Sequence, residues 1–270
     1  MIFSDLIDEQ ICDSADDGVL GRVEYRGGFG AKIFRAHITD KREMERYQKE
    51  AGRYSTILIS PIIHSYTKAR RYVAHLLCAE LRSFLPKASE PFTVLVVGLG
   101  NAFVVADSLG ARVIKNLFAT HNLPLELRQD LGDMACLIPG VSGMNGIPTF
   151  DLVRGAVEVV RPKVVIIIDS LTARNYARIG NSFQLSDTSI RPGAGVCNKN
   201  QVLNKSTLGV DVITLGVPMM INAKNFSQLD DLPDIVLTPK EIDFYTQTCS
   251  KVIAEAINEA IHGKSYQKYT

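Results

Sequence analysis

The sequence predicts an α/β protein: a mostly parallel sheet with helices on both faces, plus a β-rich addition at the amino terminus. Three observations carry that expectation. Two short runs, FTVLVV (92–97) and VVIII (164–168), are apolar without alternation, as strands buried on both faces are. From residue 67 onward such runs alternate with stretches of helical periodicity, the pattern of a parallel sheet. Before about residue 62 the chain reads instead as short strands and turns. No repeat or low-complexity linker interrupts the 270 residues, so 1–270 reads as one α/β domain with 1–62 as a β-rich subregion.

Taken in order, residues 18–39 hold two β-prone runs around Gly27-Gly28-Phe29-Gly30, a hairpin signal with a glycine-rich turn. Residues 40–52 are dense in charge and suit a solvated helix face. Residues 54–60 form another strand, ended by Pro61. Val73, Leu76, Leu77, Leu81 and Phe84 recur at helical spacing until Pro86 closes the run. After the strand at 92–97 comes Gly98-Leu99-Gly100-Asn101, then Asp107, then a helix over about 111–120. Residues 134–138 are a short strand that leads into a loop too rich in glycine to be regular, and 150–160 are helical. The buried run 164–168 is followed at once by Asp169 and by a polar stretch to Asn198. Residues 210–215 are a further buried strand that Gly216-Val217-Pro218 is expected to turn over. Thr238-Pro239-Lys240-Glu241 is a helix amino-terminal signature for a helix running to about His262.

Composition narrows the function. Basic and acidic residues nearly cancel, 30 against 29, which gives no electrostatic case for nucleic-acid binding. No apolar run reaches the roughly 20 residues that span a bilayer, so no membrane partner is expected. The cysteines at 12, 78, 136, 197 and 249 are odd in number and never in CxxC spacing, and read as reduced thiols in a cytoplasmic protein. Cys197 sits in the polar stretch, but nothing marks its thiolate as stabilised. The Gly-x-Gly turn lacks the third glycine of a dinucleotide fingerprint and the acidic residue that ends the next strand. No HExxH or HxxEH spacing supports zinc. No cofactor and no metal are expected.

What remains is carboxylate. Asp107 and Asp169 each follow a buried strand, and the carboxyl ends of neighbouring parallel strands converge. Two adjacent carboxyls do not both ionise easily, so one pKa rises and the other falls. The ionised group can activate water and the protonated one can donate to a carbonyl oxygen. On spacing alone, both residues equally suit turn or helix caps. Lys199, Arg178 or backbone N–H groups at 193–195 are candidates to stabilise an oxyanion. Asn101, Asp187 and Asn198 are candidates to orient the site. Ser186-Asp187-Thr188-Ser189 looks like the signature of pepsin-like proteases, but that signature needs a second copy that this chain lacks.

Several longer motifs fall in a specific order: Ser4-Asp5-Leu6, GRYST (52–56), VVGLGN (96–101), IPGVSGMNGI (138–147), IDSLTAR (168–174), QLSDTSIRPGAGVCN (184–198), TLGVDVITLGVP (207–218) and VLTPKEID (236–243). Through them the chain resembles the germination protease family of spore-forming bacteria. The resemblance implies a phosphorylase/hydrolase-like α/β fold and an atypical aspartic endopeptidase. It also implies small acid-soluble spore proteins as substrate, a spore-core location and homo-oligomers, tetramers in the family. It carries the family's two essential aspartates onto Asp107 and Asp169. The chain departs from the family at VADSLGA (104–110), which lacks a threonine and two prolines around the first aspartate, and at Pro148, where a glutamate is common. Two rival readings stand beside it: a metal-assisted peptidase like the hydrogenase maturation proteases, and a binding or assembly protein that kept the fold and lost catalysis.

Overall fold

The computed structural model describes residues 4–11, 25–192, 202–226 and 235–268. Its elements are α1 (Ile7–Ile11), β1 (Tyr25–Arg26), β2 (Lys32–Ile38), α2 (Lys41–Tyr47), β3 (Gly52–Leu58), α3 (Thr67–Phe84), β4 (Thr93–Gly98), α4 (Leu109–Ile114) and α5 (Leu125–Arg128). There follow β5 (Asp133–Leu137), α6 (Ser142–Asn145), α7 (Thr149–Val160), β6 (Val164–Ala173), β7 (Ser182–Ser186), α8 (Lys205–Leu208), β8 (Asp211–Asn222), β9 (Val236–Leu237) and α9 (Ile242–His262).

The nine strands among the described residues join one sheet in the order β1-β2-β3-β7-β8-β6-β4-β5, with β9 on the far end of β8. The strands β8, β6, β4 and β5 run parallel, and the amino-terminal strands extend the sheet antiparallel through β7. The apolar runs explain themselves in this arrangement. Val94, Val96, Val164, Ile166 and Ile168 pack toward α3 and α9. Leu95, Val97, Val165 and Ile167 pack on the other face, against Phe150, Val153 and Val157 of α7. Each such side chain contributes about 1.5–3 kcal/mol when fully buried. The helices supply matching stripes: Ala69, Val73, Ala74, Leu77, Cys78 and Leu81 on α3, and Cys249, Val252, Ile253, Ala256 and Ile257 on α9.

Three expectations need correction. First, β6 does not stop at Ile168 but runs on to Ala173, so Asp169 lies inside a strand and not just past its end. Second, residues 182–186, read as loop, form the fully buried strand β7. Third, Gly216-Val217-Pro218 does not turn the chain over: β8 continues through it to Asn222. A side chain at Gly216 would strike Leu171 on β6, and Pro218 sits where the register slips, with Leu171 facing Pro218 but Thr172 facing Met220. The helix expected from Thr238 begins at Ile242. No helix among the described residues is long and apolar enough to cross a membrane.

The connections place the site. From β4 the chain returns through α4 to β5 on one side, and from β5 through α7 to β6 on the other side of β4. The sheet order therefore reverses between β4 and β6; open α/β sheets place their binding crevice at such a point, here past the end of β4 and beside the stretch of β6 that carries Asp169.

Candidate active site

At the end of β4 two glycines make the crevice possible. A Cβ at Gly98 would collide with the Gly110 carbonyl, and one at Gly110 would lie 2.5 Å from the Leu99 nitrogen. Only bare backbone lets the start of α4 seat against the strand. The turn over residues 101–107 hangs from this contact. Asn101 Oδ1 accepts from the Phe103 N–H at 3.0 Å, and Asp107 N–H donates to the Val104 carbonyl at 2.9 Å. Asp107 then curls back, and its Oδ2 accepts the Asn101 N–H at 2.7 Å. Asn101 thus shapes the turn with its side chain and holds Asp107 with its backbone.

Asp169 stands on the neighbouring strand, where the Leu99 N–H donates to the Ile168 carbonyl at 2.8 Å. Its Oδ1 accepts the Ser170 N–H at 2.8 Å. Burial pushes the Asp169 carboxyl well above the usual carboxylate range, and the charges of Asp107 and then Asp5 push it further; the Ser170 N–H opposes them. Asp107 is also raised by burial, against the Asn101 N–H. The expected split, one pKa up and one down, is therefore not what the structure gives. Both rise, Asp169 the further. This coupling brings together the two acids picked from the sequence.

The other candidates go elsewhere. Arg178 Nη2 pairs with Asp8 at 2.7 Å and its Nε approaches Glu9 at 4.0 Å, so it serves the amino-terminal segment and not an oxyanion. Asp187 follows β7, two strands from β6 and beyond the Ser186–Thr214 register, and so stands away from the crevice. There it accepts from the Arg53 N–H and Nε at 2.7 Å each. Asn198, Lys199, Cys197 and the backbone at 193–195 lie outside the described residues. Among the described residues no group of three or more His, Cys, Asp or Glu could hold a metal ion.

Sequence reasoning missed Asp5. It is half-buried beside β6: its N–H donates to the Thr172 carbonyl at 2.9 Å and its Oδ2 accepts the Thr172 N–H at 2.8 Å. Lys49 Nζ donates to its carbonyl at 2.8 Å. Ser4-Asp5-Leu6 was visible as a motif, but no local signal tied it to a strand more than 160 residues away.

The germination protease family model matches residues 8–232. The germination protease of Clostridium acetobutylicum is 30% identical over 300 residues, covering 94% of this chain and 92% of that protein. That of a Geobacillus species is 36% identical over 214 residues (77% and 57%), and that of Bacillus subtilis is 30% identical over 315 residues (88% and 85%). Among solved structures, a [NiFe] hydrogenase maturation protease, HycI from Thermococcus kodakarensis KOD1, aligns with TM-score 0.41 at 19% identity, over 66% of this chain and 98% of that one. Two thirds and more of the chain matched at 30% identity or above, and a family model that spans most of it, lead to one statement: this chain belongs to the germination protease family.

Proposed function

We propose that the chain is an endopeptidase that degrades small acid-soluble spore proteins in the spore core, with Asp107 and Asp169 as its acid–base pair. Membership of the family makes it a protease; the two-acid mechanism and the substrate are the further step. The observation that carries it is the placement of the two carboxyls, Asp107 on the turn that follows β4 and Asp169 on the adjoining stretch of β6, in surroundings that raise both. In this reading Asp107, held by the Asn101 N–H, takes a proton from water as the oxygen attacks the scissile carbonyl carbon. Asp169 gives its proton to the carbonyl oxygen, which yields a neutral tetrahedral diol. When the C–N bond breaks, Asp107 passes its proton to the departing amine and Asp169 recovers one from the diol. Both carboxyls end as they began, and no cofactor enters. The same reading takes the chain as a homo-oligomer.

Cleavage of a purified small acid-soluble spore protein, followed by mass spectrometry, tests this. Asp107→Asn and Asp169→Asn are each expected to lower kcat by about 10²–10⁴-fold, the range for a lost general acid or base. Undiminished turnover in either variant rejects the pair.

A further inference from the structure

In a strand, the N–H and C=O of one residue point to the same side, and alternate residues share that side. Ile168 gives its carbonyl to Leu99, so the even-numbered residues of β6 turn their backbone toward β4. β4 ends there. Four residues on, about 13 Å along the strand, Thr172 faces the same way, and both its backbone groups go to Asp5. The extra residue at this point belongs to β8, between Pro218 and Met220, so the alternation of β6 is kept. Between the two contacts lies Ser170, whose N–H turns to the same edge and is taken by Asp169 Oδ1. The Asp169 carboxyl therefore stands in a gap bounded by the β4 loop on one side and by Asp5 on the other.

The segment that carries Asp5 is fastened well beyond what two backbone bonds provide. Gln184 Nε2 donates to the Asp5 carbonyl at 2.9 Å, and its Oε1 accepts the Ile7 N–H at 2.7 Å. The Glu9 carboxylate accepts the N–H groups of Arg174 and Asn175 at 2.8 and 2.9 Å, and Arg178 pairs with Asp8. The charged groups set around Asp5 are Lys49 after α2, with Glu9 of α1 beyond it, and Asp169 of β6. Asp107 completes the set on the β4 side. Burial raises the Asp5 carboxyl, while Lys49 and the Thr172 N–H act to keep it ionised.

We infer that Asp5 is a positioning residue of the acid pair: it fixes the strand beyond Asp169 through the Thr172 backbone and sets a second negative charge against the Asp169 carboxyl. That charge adds to burial and to the charge of Asp107 in holding Asp169 in its proton-donating form. The inference rests on the peptidase reading and adds to it a third acid, supplied by the amino-terminal segment.

Asp5→Asn separates the two roles, because the amide oxygen can still accept the Thr172 N–H while the charge is gone. With a small acid-soluble spore protein as substrate, its alkaline limb of kcat is expected to move to lower pH by roughly 0.5–1 unit. Asp5→Glu is expected to return the limb to the wild-type position. A fall in kcat at every pH with the limb unmoved would mean a purely structural role and overturn the inference. A second measurement needs no variant: carboxyl ¹³C NMR of the wild-type chain should show the Asp169 signal inflecting again where Asp5 titrates. Absence of that shared inflection also overturns it. If the wild-type chain cleaves nothing, the peptidase reading falls, and the NMR titration still decides whether Asp5 and Asp169 are coupled.

Discussion

Gly100→Ala puts the placement of Asp107 under direct test. Gly100 has φ +94°, a backbone region that an L side chain enters only with strain, about 1–2 kcal/mol. A Cβ there would overlap the Asp107 carbonyl oxygen and lie 2.8 Å from Asp107 Oδ1. The carbonyl belongs to the turn that hangs Asp107 over the strand, so it cannot step aside as the tip of a flexible side chain could. Overpacking of this kind costs about 1–3 kcal/mol. Together the two effects come to about 2–5 kcal/mol, or a fall in Tm of roughly 5–15 °C for a chain of this size. Two other glycines separate the contributions. Gly209 shares the positive φ, +73°, but has nothing within 4 Å, so Gly209→Ala should lose only the backbone part. Gly155 lies inside α7 with open space around it, and Gly155→Ala should gain about 0.5–1 kcal/mol.

The assay is differential scanning calorimetry on the three variants, with cleavage kinetics on those that fold. Gly100→Ala is expected to be the least stable, and to lose kcat beyond what its stability explains. The clash bears on both the carbonyl and the carboxylate of Asp107. A Tm for Gly100→Ala within about 2 °C of that for Gly209→Ala would refute the close approach and, with it, the stated cause of Asp107's position.

Two further outcomes follow from charges in the fold. Because Asp169's pKa is raised on folding, the folded chain keeps a proton that the unfolded chain releases above about pH 4. Its stability is full below that point and falls as pH rises through the raised value. Asp169→Asn should therefore match the wild type in Tm near pH 4 and exceed it increasingly toward neutral pH; a constant difference across pH would contradict the assignment. Separately, Glu80 is buried, accepts from Arg35 Nε at 3.0 Å and from Ser55 Oγ at 2.7 Å, and forms an ion pair with Arg35. Arg35→Ala leaves that carboxylate without its cation and should cost about 1.5–3 kcal/mol in urea unfolding, whereas a change under about 0.5 kcal/mol would show the pair to be solvated.

The parts of this fold that could be read from sequence are those in which neighbours along the chain are also neighbours in cause. FTVLVV and VVIII announce two-faced burial without reference to anything distant. The glycines at 98 and 100 announce a backbone squeezed by its own next turn. Asp169 follows such a run directly, and Asp107 follows one after the Gly98–Asn101 turn. β7 was hidden for the opposite reason. Two of its polar residues find partners far off: Gln184 in Asp5 and Ile7, and Ser186 in Thr214 Oγ1 at 2.6 Å. A buried strand so composed has the polarity of a loop. Asp187 misled in the same way, since its polarity serves Arg53 on β3. The extensions of β6 and β8 beyond Ile168 and Leu215 also escaped, because Ser170 and Thr172 on one and Gly216 and Pro218 on the other break the apolar pattern that marks each strand's first half.

These extensions make the site a question of proton supply. Asp107, Asp169 and Asp5 each receive one backbone N–H, from Asn101, Ser170 and Thr172. One such bond favours the ionised form but does not offset the burial of a carboxylate. Lys49 offsets Asp5, and burial weakens Lys49's own hold on its proton. The remaining two acids repel each other, and no comparable cation is set against them among the described residues. In the proposed mechanism the two share one proton, and Asp169, between two negative neighbours, is where that proton has least reason to leave. A peptidase of this kind would carry its acid already protonated in the resting state, because the fold itself makes the doubly ionised pair the expensive one.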